Sequence, residues 1–217
     1  IMTAAPLRLG IAGLGTAGVG VLKMLHKNAK VISLRTGRDI VVTAVSARSR
    51  SKDGGVDRSG FAWEDGPVAL AKRDDVDIFV ELMGGHEGPA KDATEAAIAA
   101  GKDVVTANKA MLAVHGQSLA LAAEAAGQVI RFEAAVAGGI PVVKALTEGL
   151  AGNKINRVLG VMNGSCNYIL TRMENAGLSY AEVFAEANVL GYLEAAPNLA
   201  VSYSYLRDPA TDSHSLL

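Results

Sequence analysis

Apolar positions in the first 135 residues recur with two alternating spacings. Short continuous apolar runs, several of them rich in β-branched residues, are typical of strands buried in a parallel sheet. Runs with helical spacing lie between them. This alternation with short connections predicts an α/β fold with a doubly wound parallel sheet. The strand-like runs are residues 8–12, 40–45, 76–83, 102–106 and 128–133.

The first strand-like run ends in Gly13-x-Gly15-x-x-Gly18, and apolar residues then return at helical spacing. A strand, a glycine turn and a helix in this order are typical of the Rossmann-type dinucleotide-binding fold. Gly13 would allow a tight turn, Gly15 would let the backbone approach a pyrophosphate, and Gly18 would let helix and strand pack closely. The alternative is a glycine-rich turn without a ligand, but the position between strand and helix favours the cofactor.

The pattern changes after about residue 135. Residues 136–141 are interpreted as a joint, and a helix is predicted from Pro141 through Leu150. Residues 155–162 have the composition of a strand, and two helices follow. The expected parts are a dinucleotide-binding domain, an incomplete α+β substrate and dimerisation domain, and a divergent tail whose folding the sequence leaves open, at residues 1–137, 138–201 and 202–217.

The strand-like run at residues 40–45 is not followed by an acidic residue. Many NAD-binding domains have Asp or Glu here, where it accepts hydrogen bonds from the adenosine ribose. This chain instead has small residues with Arg48, Arg50 and Lys52 among them. Three cations would suit a 2′-phosphate, and Arg48 is best placed to offer a planar fork of donors. The pattern favours NADP(H) over NAD(H), and the alternative is a solvated basic loop.

Two further segments follow strand-like runs at the same predicted edge of the sheet. Gly84-Gly85 follows the run at 76–83, and ligands bind at the carboxyl ends of strands in open α/β sheets. Lys109 lies at a predicted helix start, where the helix dipole disfavours a cation. Such a conflict indicates a functional role, for example hydrogen bonding to a substrate carbonyl or hydroxyl. The alternatives are a simple turn and a surface cation.

Small polar residues are dense before the helix that begins near residue 169. Each of them alone would most simply cap that helix. Together they would line a polar cleft. The candidate substrate contacts among them are Asn163, Gly164 and Ser165.

Composition narrows the classes of function. The 217 residues are half apolar and carry a net charge of −1, which argues against nucleic acid or an anionic membrane as the principal partner. Cys166 is the single cysteine, so the chain has no internal disulfide. No apolar stretch reaches the roughly 20 residues of a membrane helix, and residues 1–6 lack the pattern of a secretory signal. We expect a cytoplasmic protein.

Six motifs together resemble homoserine dehydrogenase, and they follow one another in that family's order over about residues 7–197. They are GLGTAG at 13–18, VELMGG at 80–85, VTANK at 105–109, EAAVAGGIP at 133–141, NGSCNYIL at 163–170 and GYLE at 191–194. The resemblance implies an NAD(P)-dependent oxidoreductase that interconverts aspartate 4-semialdehyde and L-homoserine, on the route to threonine and methionine. It also implies a homodimer.

The resemblance assigns roles to individual residues. Lys109 matches the lysine between nicotinamide and substrate, Gly191 would lie near the cofactor, and Glu194 would lie near the homoserine amino group. Further cofactor-binding positions are Thr16, Ala17 and Arg48. A sodium ion is implied as well, held by oxygens of Glu133, Val136, Gly138 and Ile140.

The chain departs from the family after Glu194. Ala196 and Ala200 stand where the family has acids, and no lysine follows Lys154, although the family has a lysine in this region that acts on substrate. Loss of a general acid lowers a rate by about 10²- to 10⁴-fold. We therefore expect binding of NADP(H) with weak or no turnover.

Two classes of function stay open at this point. One is an oxidoreductase of the homoserine dehydrogenase type. The other is a truncated dinucleotide-binding module with little or no activity, which the departures after Glu194 favour. An oxidoreductase that acts on another semialdehyde or on a sugar is a weaker third possibility, because residues 163–170 argue against it.

Overall fold

The structure, a computed structural model, describes residues 4–50, 55, 57, 59–160 and 164–190. The chain forms two compact units, Ile1–Gly152 and Asn153–Leu217. That the dinucleotide-binding domain ends at residue 137 stays a prediction. No helix among the described residues is both long and apolar enough to cross a membrane.

Six parallel strands form the sheet of the first unit, in the order β3-β2-β1-β4-β5-β6. The chain first builds outward from β1 in one direction and then returns to add β4 to the other side of β1. This reversal creates a crevice at the carboxyl ends of β1 and β4, where doubly wound sheets bind ligands. The strands are β1 (Leu7–Ala12), β2 (Ile40–Ser46), β3 (Ala62–Trp63), β4 (Ile78–Glu81), β5 (Asp103–Thr106) and β6 (Ile130–Arg131).

Helices cover the sheet because the apolar residues of its strands face both sides. One core cluster includes Leu22 of the first helix with Ile11 and Val45. The other core cluster is built around Phe79, Leu70 and helices rich in alanine. The helices of this unit are α1 (Thr16–Lys27), α2 (Ala29–Thr36), α3 (Pro67–Ala71), α4 (Pro89–Ala99), α5 (Lys109–Ala126), α6 (Glu133–Val136) and α7 (Val142–Lys144), and α7 continues as a wider turn over Ala145–Gly149.

The second unit contains α8 (Gly164–Ala176) and α9 (Tyr180–Val189), which pack through Ile169, Val183 and Ala187. Ser179 and Glu182 form a capping box at the start of α9.

The doubly wound parallel sheet is therefore confirmed, while some local predictions are wrong. Residues 155–160, the described part of a predicted strand, form no strand, because no described segment pairs with them. The helix after β5 does begin at Lys109, as predicted, because Asn108 caps it there. Only the carboxyl half of β2 is fully buried, because β3 beyond it is two residues long.

Candidate functional site

Two glycines of the turn after β1 are required by packing. Gly13 has a φ of 101°, and a Cβ there would lie 2.5 Å from the carbonyl oxygen of Leu82. A Cβ on Gly18 would lie 2.0 Å from the carbonyl oxygen of Gly13. Any larger residue at either position would push apart β1, α1 and the segment after β4.

Gly15 is different, because a Cβ there would meet no atom within 4 Å. Its φ of −76° is open to any residue, so neither packing nor backbone strain demands glycine. Helix α1 begins at the next residue, and no side chain caps its amino end. The first-turn amides and the helix dipole are thus available to an anion, with Thr16 and Ala17 exposed beside them. A pyrophosphate fits this open turn.

The end of β2 carries one exposed arginine and one that is held in place. Arg48 is exposed and makes no hydrogen bond or ion pair with another described residue. Arg50 pairs with Asp65 at 2.7 Å, and its guanidinium lies 5.1 Å from the ring centre of Trp63. Residues 47–50, directly after the buried Ser46, include two arginines and no acidic residue, so this segment does not repel a 2′-phosphate.

The segment after β4 is tied to α5 at two points. The side-chain amide of Asn108 donates to the carbonyl of Gly85 at 2.7 Å. His115 Nε2 lies 2.7 Å from Glu87 Oε1. Gly84 and Gly85 have φ values of 151° and 88° and are exposed. This turn therefore presents bare backbone at the same edge as the Gly15 turn, where a ligand can approach closely.

Lys109 is the first residue of α5 and is exposed. Asn108 holds it in place from the amino side, since its side-chain oxygen accepts the amide hydrogen of Met111 at 3.1 Å. The α5 amino end and the glycine turns thus share the carboxyl edge of one sheet.

A pair of buried polar residues behind the carboxyl edge of the sheet was not identified from the sequence. Glu81 and Thr106 are fully buried, and they are paired across β4 and β5. The available signal was an acidic residue among apolar residues at the end of a strand-like run.

The predicted sodium segment has a visible structural role. The Glu133 carboxylate accepts the amide hydrogens of Val143 and Lys144, at 3.1 and 2.9 Å, and so caps α7. The carbonyl of Ile140 accepts the amide of Val142 at 2.8 Å. A second lone pair remains on each of these oxygens for an ion, and the side chains of Val136 and Ile140 are exposed. The sodium site, including Gly138, stays a prediction.

The other predicted site residues belong to the second unit. Gly164 and Ser165 form the first turn of α8. Asn163, Gly191 and Glu194 lie outside the described residues, as do the departures at Ala196 and Ala200. In the described part of the chain, no three His, Cys, Asp or Glu side chains converge as metal ligands.

Comparisons with known proteins identify the same family in both parts of the chain. The family model described as homoserine dehydrogenase, NAD binding domain, matches residues 13–133, and that of homoserine dehydrogenase matches residues 141–202. Homoserine dehydrogenases of Neisseria gonorrhoeae and Pseudomonas aeruginosa are 45% and 43% identical over 90% of this chain. The chain spans 45% and 44% of their lengths.

Solved structures give the same result. A homoserine dehydrogenase from Thiobacillus denitrificans superposes with a TM-score of 0.82 at 42% identity, covering 91% of this chain and 46% of that one. A hyperthermophilic archaeal homoserine dehydrogenase in complex with NADPH has a TM-score of 0.74 at 25% identity, covering 89% of this chain and 64% of that one.

Proposed function

Because the chain belongs to the homoserine dehydrogenase family, we propose that it binds NADP(H) and serves the interconversion of aspartate 4-semialdehyde and L-homoserine. The observation that carries this proposal is the open turn at Gly15. Packing accounts for Gly13 and Gly18, whereas Gly15 has open space around it directly before α1, where the backbone can approach a pyrophosphate. The uncapped start of α1 supplies the amides for a pyrophosphate.

Arg48 supports a preference for NADP(H). A guanidinium offers two parallel donors to a phosphate, and Arg48 is exposed at the end of β2, where adenosine ribose lies in this fold. Arg50 already uses its charge on Asp65. The archaeal relative in complex with NADPH is compatible with this preference.

Lys109 is the proposed catalytic group within the described residues. The bound cofactor would supply a hydride to the semialdehyde carbonyl. The Lys109 ammonium would donate a hydrogen bond to the carbonyl oxygen and stabilise the developing alkoxide. Glu194 would hold the substrate amino group and Gly191 the cofactor, while Asn163, Gly164 and Ser165 would contact substrate.

The family assignment supports further proposals about the protein. We propose a homodimer, a cytoplasmic location and a place in threonine and methionine biosynthesis. A sodium ion at Glu133, Val136, Gly138 and Ile140 belongs with these proposals.

The test is a fluorescence titration of the chain with NADPH and with NADH, followed by addition of aspartate 4-semialdehyde. We expect tighter binding of NADPH. Arg48→Ala should weaken NADPH about tenfold or more and leave NADH unchanged. Arg50→Ala is the matched control, since it removes the same charge two residues away. Equal loss of both cofactors in Arg48→Ala would refute the assignment of Arg48.

The addition of semialdehyde separates the two functions that the sequence left open. Steady oxidation of NADPH would show that Lys109 and its neighbours suffice for turnover. Binding without oxidation would favour the dinucleotide-binding module with little activity. Absence of binding to either cofactor would refute the proposed function altogether.

A further inference from the structure

A buried carboxylate lies directly behind the proposed nicotinamide side of the site. Glu81, the last residue of β4, is 0% exposed. One of its oxygens accepts the amide hydrogen of Met83 at 2.7 Å, and the other accepts the Thr106 hydroxyl at 2.5 Å. It forms no ion pair with another described residue. Burying a carboxylate is costly, and an apolar residue would avoid that cost at the end of an apolar strand.

The Glu81 carboxylate continues into a chain of hydrogen bonds that ends at the site. The Thr106 hydroxyl accepts the backbone amide of Asn108 at 3.0 Å. The Asn108 side chain then caps α5 through Met111 and donates to the carbonyl of Gly85. The position of Lys109 and that of the glycine turn after β4 are therefore both linked to Glu81.

The backbone amides fix the hydrogen-bond directions next to Glu81, because an amide N–H can only donate. The Thr106 hydroxyl accepts the Asn108 amide hydrogen and donates its own proton to Glu81. A glutamine could not replace the carboxylate. Either its amide nitrogen would face the Met83 amide, donor against donor, or it would face Thr106 and leave the hydroxyl proton without its acceptor.

We propose that Glu81 is a positioning residue for the nicotinamide half of the cofactor, acting through Thr106 and Asn108. The inference rests on the proposed function. The order of the strands in the sheet indicates which half of the cofactor Glu81 would affect. Arg48 at the end of β2 lies on one side of the Gly15 turn, and β4 and β5 lie on the other. If the 2′-phosphate is bound at β2 and the pyrophosphate at β1, the nicotinamide extends toward Glu81.

The test compares two ligands, NADPH and 2′-phospho-ADP-ribose, which lacks only the nicotinamide. Glu81→Gln and Thr106→Val should each weaken NADPH about tenfold while leaving 2′-phospho-ADP-ribose within about twofold. Thr106→Ser should retain wild-type binding because it keeps the hydroxyl. Thr94→Val is the matched control, since Thr94 is equally buried and its hydroxyl bonds only within α4, to Ala90 at 2.9 Å.

Asn108→Asp provides a second approach if Glu81→Gln does not fold. It keeps the oxygen that caps α5 and removes the donor to Gly85, so NADPH alone should again weaken. Equal weakening of both ligands in these variants would show a merely structural role and overturn the inference. Unchanged NADPH binding in all of them would overturn it as well. Failure of the wild-type chain to bind NADPH would instead refute the proposed function.

Discussion

The two edges of the sheet differ in how their charged groups are used. At the amino ends of the strands, charged groups bond to partners within the fold. Arg8 binds Asp77 through its side chain and its backbone amide, at 2.6 to 3.1 Å. The buried Lys102 ammonium donates to the carbonyls of Arg73 and Val76, at 2.7 and 2.6 Å. At the carboxyl ends, α1 has no side-chain cap at its amino end, and Arg48 is exposed.

A cluster around Arg73 pairs charges between the amino end of β4 and the carboxyl end of β3. Its guanidinium bonds to Asp75 on one side and to Glu64 on the other. The hydrogen bonds from Arg73 hold the pKa of Asp75 below its usual value. The difference is that the amino edge uses these charges for stability, while at the carboxyl edge the first turn of α1 has no side-chain cap and Arg48 is exposed. Four substitutions can break or sharpen this comparison.

Gly18→Ala should have the largest effect. The new Cβ would meet the Gly13 carbonyl at 2.0 Å, and overpacking of this kind costs about 3 kcal/mol. The measurement is the free energy of unfolding in urea. Gly20→Ala is the control in the same helix, where a Cβ meets nothing within 4 Å and should stabilise by about 0.5 to 1 kcal/mol. Equal stability of the two variants would contradict the packing role of Gly18.

Lys102→Met should destabilise the amino edge by about 2 kcal/mol, because two carbonyls lose a charged donor. NADPH affinity should not change, since the site is at the opposite edge. Lys72→Met, an exposed lysine near the same edge, should change stability by no more than about 0.5 kcal/mol. A loss of NADPH affinity without a loss of stability would break the division between the two edges.

Gly15→Ala should lower NADPH affinity without changing stability. Its Cβ meets nothing in the protein, so the free energy of unfolding should stay the same. NADPH affinity should fall about tenfold, which corresponds to about 1.4 kcal/mol, because the methyl group occupies the space of the pyrophosphate. Unchanged affinity, measured by fluorescence titration, would mean that no ligand approaches this turn.

Asp77→Asn should have the smallest effect, and its size should depend on pH. Hydrogen bonds from Arg8 hold the pKa of Asp77 below its ordinary value of 3.8. A lowered pKa means that the pair stabilises the fold above pH 3.8 and loses this contribution as the pH falls further. The difference in unfolding free energy between wild type and variant should shrink below that pH. Asp74→Asn, at an exposed position, should show no such change.

The sequence by itself determined the alternation of strands and helices, and hence the parallel sheet. It also indicated where elements end, because Gly13 and Gly84 interrupt apolar runs and Gly127 ends a helix. Since parallel strands must all end at one edge, the glycine turns and Lys109 could be assigned to a common edge from spacing alone. The family followed from six motifs in order.

Only the tertiary structure showed that packing requires glycine at positions 13 and 18 and not at position 15. The motif predicted a role for each of the three, but the evidence for packing is the distance from a Cβ to atoms far along the chain or across the turn. The pairing of Glu81 with Thr106 joins residues 25 positions apart, and that of Arg8 with Asp77 joins residues 69 apart. Periodicity reports only which face a residue occupies, so contacts of this kind appear only when the strands are assembled side by side.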